Sequence, residues 1–138
     1  DQLLETNCDI ILVVDALWKG RDPNPQSRTR DLVKCAEPFT IKYHDEDEVI
    51  LNAIGHDFVT EEIQGEWIGL AKFSERGSKK IHDEIIAMQE DDTVHNASMK
   101  DLFERLLKKQ EPIHIIYISG HWLDIDNADD LSDAQKFL

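Results

Sequence analysis

The run "DIILVVD", Asp9 to Asp15, constrains this chain more than any other stretch. Five consecutive β-branched or leucine residues between polar flanks predict a buried strand over Ile10–Val14, with Asp15 at its carboxyl end. A second run, "PIHIIYISG", predicts a last strand over Ile113–Ile118. Buried strands need a shared sheet and covering elements, so the chain must build a layered domain.

The covering elements are legible between the two runs. Ser74 is placed to cap a helix reaching about Gln89, with Ile81, Ile85 and Met88 at helical spacing. "SMKD", from Ser98, has the form of a capping box with Asp101 in its third position. Met99, Leu102, Phe103, Leu106 and Leu107 follow as one apolar stripe, and Lys108 and Lys109 fall where the helix dipole favours cations. "FTIKYHDEDEVILNAIG" predicts a hairpin, in which Phe39, Ile41 and Tyr43 alternate before an acidic turn and Val49, Leu51 and Ala53 after it. "GEWIGLAKFS" predicts another strand, whose Gly65 and Gly69 allow close backbone or ligand approach. "KGRDPNPQSRTRD" predicts a loop carrying the basic cluster Lys19, Arg21, Arg28 and Arg30. The expected fold class is mixed α/β, with residues 1–138 as a single domain without repeats.

Charge narrows the function classes. The chain holds 29 acidic and 15 basic residues, a formal net charge of −14. Such a field repels nucleic-acid backbones and anionic membrane surfaces and tolerates metal cations. The two cysteines, Cys8 and Cys35, form neither a disulfide framework nor a zinc pattern. No apolar run has the length of a membrane span and no signal peptide is evident, so a cytoplasmic location is expected.

The densest chemistry lies in "GHWLDIDNADDLSDA", Gly120–Ala134. If the strand before it stays extended, Asp124 and Asp126 share a face and can hold a hard divalent cation such as Mg²⁺. Equally, the run can be a helix start: Asn127 suits an N-cap, and Asp129, Asp130 and Asp133 favour the positive end of a helix. An EF-hand fits poorly, because Ala128 and Asp129 occupy the fifth and sixth positions counted from Asp124. Arg28 and Arg30 can grip a phosphate or phosphonate, or stay solvated. Glu66 and Trp67 together can hold an ammonium group, or Trp67 can pack into the core. Asp15 can face a ligand or cap a turn. There is no HExxH pair, GxSxG elbow or Gly-rich phosphate loop.

Three stretches, "DIILVVDALW…TRDLVKC", "GEWIGLAKFSERG" and "GHWLDIDNADDL", together resemble the C-terminal half of a nucleotidyltransferase domain. The resemblance is to small cytidylyltransferases acting on phosphocholine or aminoethylphosphonate, including domains fused behind phosphoenolpyruvate phosphomutase in phosphonate biosynthesis. It rests most on Trp122, Asp124, Ile125, Asp126, Asp130 and Leu131, with Asn127 where those enzymes usually have Thr. It implies a partial Rossmann-like nucleotidyltransferase fold, a mixed sheet with covering helices. It implies Mg²⁺ held by Asp126 and Asp124. Its partners would be a nucleoside triphosphate, CTP by resemblance, and a small phosphate- or phosphonate-bearing acceptor. Glu66, Trp67 and Asp15 would meet the acceptor's amine, and Arg28 and Arg30 its phosphate. The family's Gly-rich loop and an earlier strand-end Asp that completes its metal site are not recognised in the sequence. The chain is therefore expected to be part of a longer enzyme, inactive alone and able to self-associate into a homo-oligomer. The competing expectation is a non-catalytic acidic α/β module that binds a small ligand or a protein partner.

Overall fold

A computed structural model describes residues 7–20, 30–35, 49–123, 125 and 128–135. Its strands are β1 (Ile10–Asp15), β2 (Leu32–Cys35), β3 (Leu51–Gly55), β4 (Gly65–Phe73) and β5 (His114–Ile118). Its helices are α1 (Glu75–Glu90), α2 (Met99–Lys108) and α3 (Ala128–Gln135). The architecture is mixed α/β. The five strands form one sheet in the order β3-β2-β4-β1-β5. β1 and β5 run parallel, and the other neighbouring pairs are antiparallel.

β1 lies between β4 and β5, which explains its unbroken apolar run. All six of its residues are buried, so both faces must be free of unpaired polar groups. Ile10, Leu12 and Val14 face one side and pack with Ile115, Tyr117, Phe103 and Leu106. Burying one such side chain contributes about 2 kcal/mol. Ile11, Val13 and Asp15 alternate to the other side and are equally buried.

Two expectations change in the sheet. β2 lies just after the expected loop, in a stretch to which the sequence assigned no element, and it pairs with both β3 and β4. β3 is the second arm of the expected hairpin; the first arm, Phe39 to Tyr43, lies outside the described residues. The chain entering β3 also reaches β5. Ile50 bridges His114, the Leu51 N–H donates to the Ile113 carbonyl at 2.8 Å, and the Ile115 N–H donates to the Val49 carbonyl at 2.9 Å. The two edges of the sheet are thus joined to each other, which occupies hydrogen-bonding groups that an open edge would expose.

The helices start where their caps predict. Ser74 Oγ accepts the Gly77 N–H at 3.0 Å and donates to Asp9 Oδ1 at 2.8 Å. Gly77 is required here, since a Cβ on it would lie 1.9 Å from the Asp9 carbonyl oxygen. At α2 the capping box is complete: Asp101 N–H donates to Ser98 Oγ, and Ser98 N–H donates to Asp101 Oδ2 at 2.7 Å. That backbone N–H, then Lys100, lowers the Asp101 carboxyl to about 2. Leu102, Phe103 and Leu106 of the apolar stripe are buried, whereas Met99 stays exposed. Among the described residues, no helix is long and apolar enough to cross a membrane.

Candidate functional site

The parallel pair β1 and β5 ends at a cleft of about 720 Å³. Ligands of α/β sheets collect at the carboxyl ends of parallel strands, where loops diverge. Here the loop after β1 supplies Leu17, Trp18 and Lys19, the loop after β5 supplies His121, and Ile63 precedes β4. Trp18 and Ile63 belong to a small apolar cluster with Leu32 and Phe58, which builds one wall.

Asp15 holds the two loops together. Its Oδ1 accepts the Leu17 N–H at 2.9 Å and the Gly120 N–H at 2.9 Å. Its Oδ2 accepts the Trp122 indole N–H at 3.1 Å. The side chain is wholly buried, where a carboxylate without such donors would carry a large desolvation cost. Gly120 (φ +73°) and His121 (φ +63°) both lie in the left-handed region. For His121 this conformation is strained, and the Asp15–Gly120 bond helps to fix it.

This turn ends the strand before the aspartate run. The β5 ladder ends at Ile118, and the left-handed pair redirects the chain before Asp124. The strand itself therefore does not continue unbroken past Gly120. Asp124 and Asp126 themselves lie outside the described residues, as does Arg28. The expected helix start is present, as α3 begins at Ala128 and includes Asp129; its suggested cap, Asn127, is outside the described residues.

Arg30 and Glu66 sit beside Asp15. Glu66 is opposite Asp15 in the β1–β4 pairing and opposite Leu32 in the β2–β4 pairing. Arg30 Nη1 is 3.8 Å from Glu66 Oε2, and both side chains are about 5% exposed. The same Nη1 donates to the Trp18 carbonyl at 3.2 Å, so Arg30 braces the cleft wall from behind. The Arg30 carbonyl in turn meets His56 Nδ1 at 2.6 Å. Next to it, burial raises the Asp31 carboxyl, against the pull of His56.

Three of the expected site residues, Asp15, Arg30 and Glu66, therefore meet at one end of the sheet. Trp67 does not join them. It is opposite Val14 while Glu66 is opposite Asp15, so alternation sends the two side chains to opposite faces. The Trp67 ring packs edge-on against Phe103, with centroids 5.3 Å apart, and its indole N–H donates to the Leu70 carbonyl at 3.0 Å. The expected Glu66–Trp67 ammonium cage is corrected on this point: adjacent strand residues cannot close on one ligand. Gly65 allows the close approach expected of it, since a Cβ there would lie 2.3 Å from Val14 Cγ1 and 2.8 Å from the Asp15 carbonyl oxygen.

Lys19 and His121 were not singled out as site residues from the sequence. Their signal was positional: each follows closely on the carboxyl end of a run that predicts a buried strand. Knowing that the two strands are parallel neighbours is what joins them across one cleft.

Among the described residues, no group of three or more His, Cys, Asp or Glu side chains is placed to hold a metal ion. The described carboxylates beside the cleft are already engaged, Asp15 by Leu17, Gly120 and Trp122 and Glu66 by Arg30. The chain matches no family model, no curated protein and no solved structure.

Proposed function

We propose that the cleft is the acceptor and metal side of a Mg²⁺-dependent nucleotidyltransferase site, which transfers a cytidylyl group from CTP to a small phosphate- or phosphonate-bearing acceptor. The observation that supports this reading is the bonding of Asp15 to Gly120 and Trp122. It ties a buried strand-end carboxylate to the start of the segment carrying Asp124 and Asp126, beside a cleft of ligand size.

In this reading Asp126 and Asp124 would hold Mg²⁺, and a bound cation would supply charge neutralisation at the transferring phosphate. Asp15 is a positioning residue. Its oxygens already receive donors from the chain, and through them it sets the course of the loop that leads to the aspartates. Arg30 keeps the Trp18 wall in place while Glu66 compensates its charge. The acceptor's phosphate or phosphonate oxygen attacks the α-phosphate of CTP and pyrophosphate leaves. The protein's contribution is to align these groups and exclude water.

The test is pyrophosphate release by the longest form of the protein that contains this chain, with CTP, Mg²⁺ and a panel of phosphate and phosphonate acceptors. Asp126→Ala is expected to reduce the rate at least about 100-fold, the scale of losing a charge-stabilising group. An unchanged rate removes the metal assignment. A second reading is favoured by the saturation of Asp15 with the chain's own donors: a non-catalytic α/β module that binds a small ligand in the same cleft. Ligand binding with no transfer under any metal supports that alternative.

A further inference from the structure

The described lining of the cleft contrasts with the charge of the chain. The protein carries a formal net charge of −14, yet among the described residues lining the cleft the ionisable side chains are Lys19 and His121. Among the described residues, the nearby carboxylates Asp15 and Glu66 are directed elsewhere, Asp15 to Gly120 and Trp122 and Glu66 toward Arg30. Lys19 and His121 lie on loops leaving two adjacent parallel strands, where such loops frame a ligand from both sides. Trp18 and Ile63 line the same cleft and supply its apolar surface.

We infer that the cleft takes the phosphate or phosphonate end of a small organic ligand, gripped by the Lys19 ammonium and a His121 ring nitrogen, with the ligand's carbon body against Trp18 and Ile63. This inference rests on the proposed function for its biological setting, but not for its chemistry. It reverses the expectation that this end of the sheet receives an amine. The carboxylates that suggested an amine site are used to build the loops, and the side chains that reach the cleft carry donors. The strained backbone at His121 has a purpose in this arrangement: Asp15 holds Gly120, and Gly120 turns the imidazole's own residue into position at the cleft.

Two sources share this chemistry, the acceptor and the nucleotide. Calorimetric titration with phenylphosphonate, without metal, reads the site directly, and benzyltrimethylammonium is the control of opposite charge. Phenylphosphonate is expected to bind and the ammonium compound is not. Lys19→Gln and His121→Asn are each expected to weaken phosphonate binding about 5-fold, the scale of one partly solvated charge-assisted contact. Asn suits the left-handed backbone at position 121, and circular dichroism of both variants should match the unaltered protein. If the ammonium compound binds better than phenylphosphonate, or both folded variants bind as tightly as the parent, the inference is overturned. CTP competing with phenylphosphonate identifies the nucleotide's phosphate as the occupant, while simultaneous binding identifies the acceptor; either requires sensitivity to Lys19 and His121. Phosphonate binding without nucleotidyl transfer would leave this inference standing and remove the catalytic one. Transfer with an unaltered acceptor and CTP KM in both variants would do the reverse.

Discussion

Among the described residues, carboxylates are buried at the cleft end of the sheet, as Asp15 and Glu66, and on α1, as Glu84, and Asp15 and Glu84 are used differently. Glu84 on α1 is 2% exposed and takes Arg105 Nε at 2.5 Å together with the Lys109 ammonium, both from the α2 end. Arg105 also reaches Asp91 at 2.7 Å. Asp15 instead takes two backbone N–H groups and an indole N–H from the loops after β1 and β5. The first arrangement clamps two helices over the sheet, and its partners are long side chains that can be exchanged. The second fixes backbone course, and its donors have nowhere else to turn once the carboxylate is gone. A buried acid held by flexible cations is a packing device, whereas one held by main-chain donors from two loops sets the shape of a site.

Substitutions can break this contrast. Asp15→Ala should have the largest effect, because it strands three donors at a buried position. A loss of about 4 kcal/mol in urea unfolding is expected, together with loss of phenylphosphonate binding. A loss under about 1 kcal/mol would show that the loops keep their course without it. Gly65→Ala tests the same end from the backbone. Its new methyl meets Val14 and the Asp15 carbonyl, so a cost of about 2 to 3 kcal/mol by thermal melting is expected from overpacking.

Glu84→Gln should cost less, about 1 to 2 kcal/mol, because Lys109 and Arg105 can regain water. It should leave phosphonate affinity unaltered, and a parallel fall in affinity would erase the distinction between the two clusters. The pH dependence sharpens the test. Burial raises the Glu84 carboxyl, but the bonds from Lys109 and Arg105 outweigh burial and lower it overall. Its stabilisation is therefore complete above the ordinary value of 4.5 and is lost as pH falls through the lowered folded-state value. Glu84→Gln should flatten that acid limb of the stability curve. Ser98→Ala, which removes half of the α2 capping box, should have the smallest effect, about 1 kcal/mol by denaturant titration.

Local rules were easiest to read where a few neighbouring residues decide the outcome. Ser74 and Ser98 cap the helices they predict, since a cap needs only residues within one turn. β1, β4 and β5 follow from continuous or dense apolar runs. β2 was not legible. Its four residues, Leu32–Cys35, are too few to show a period, and their pairing with β3 and β4 makes them a strand. Trp67 was legible only as a choice between core and ligand, which the register against Val14 decides for the core.

The candidate site divides in the same way. Composition and motif drew attention to Asp15, Glu66 and Arg30 in separate stretches, and only the resemblance grouped them around one acceptor. Their meeting depends on strand registers, and the bond from Gly120 to Asp15 spans 105 residues of sequence. The sequence by itself determined the α/β class, the buried central strand and the two capped helices, because propensity and periodicity act over a few residues. Tertiary structure alone decided that the sheet edges join, that Glu66 and Trp67 part to opposite faces, and that Lys19 and His121 share a cleft. Those outcomes depend on which strands become neighbours, and neighbouring strands are selected by burial of the whole core rather than by any local pattern.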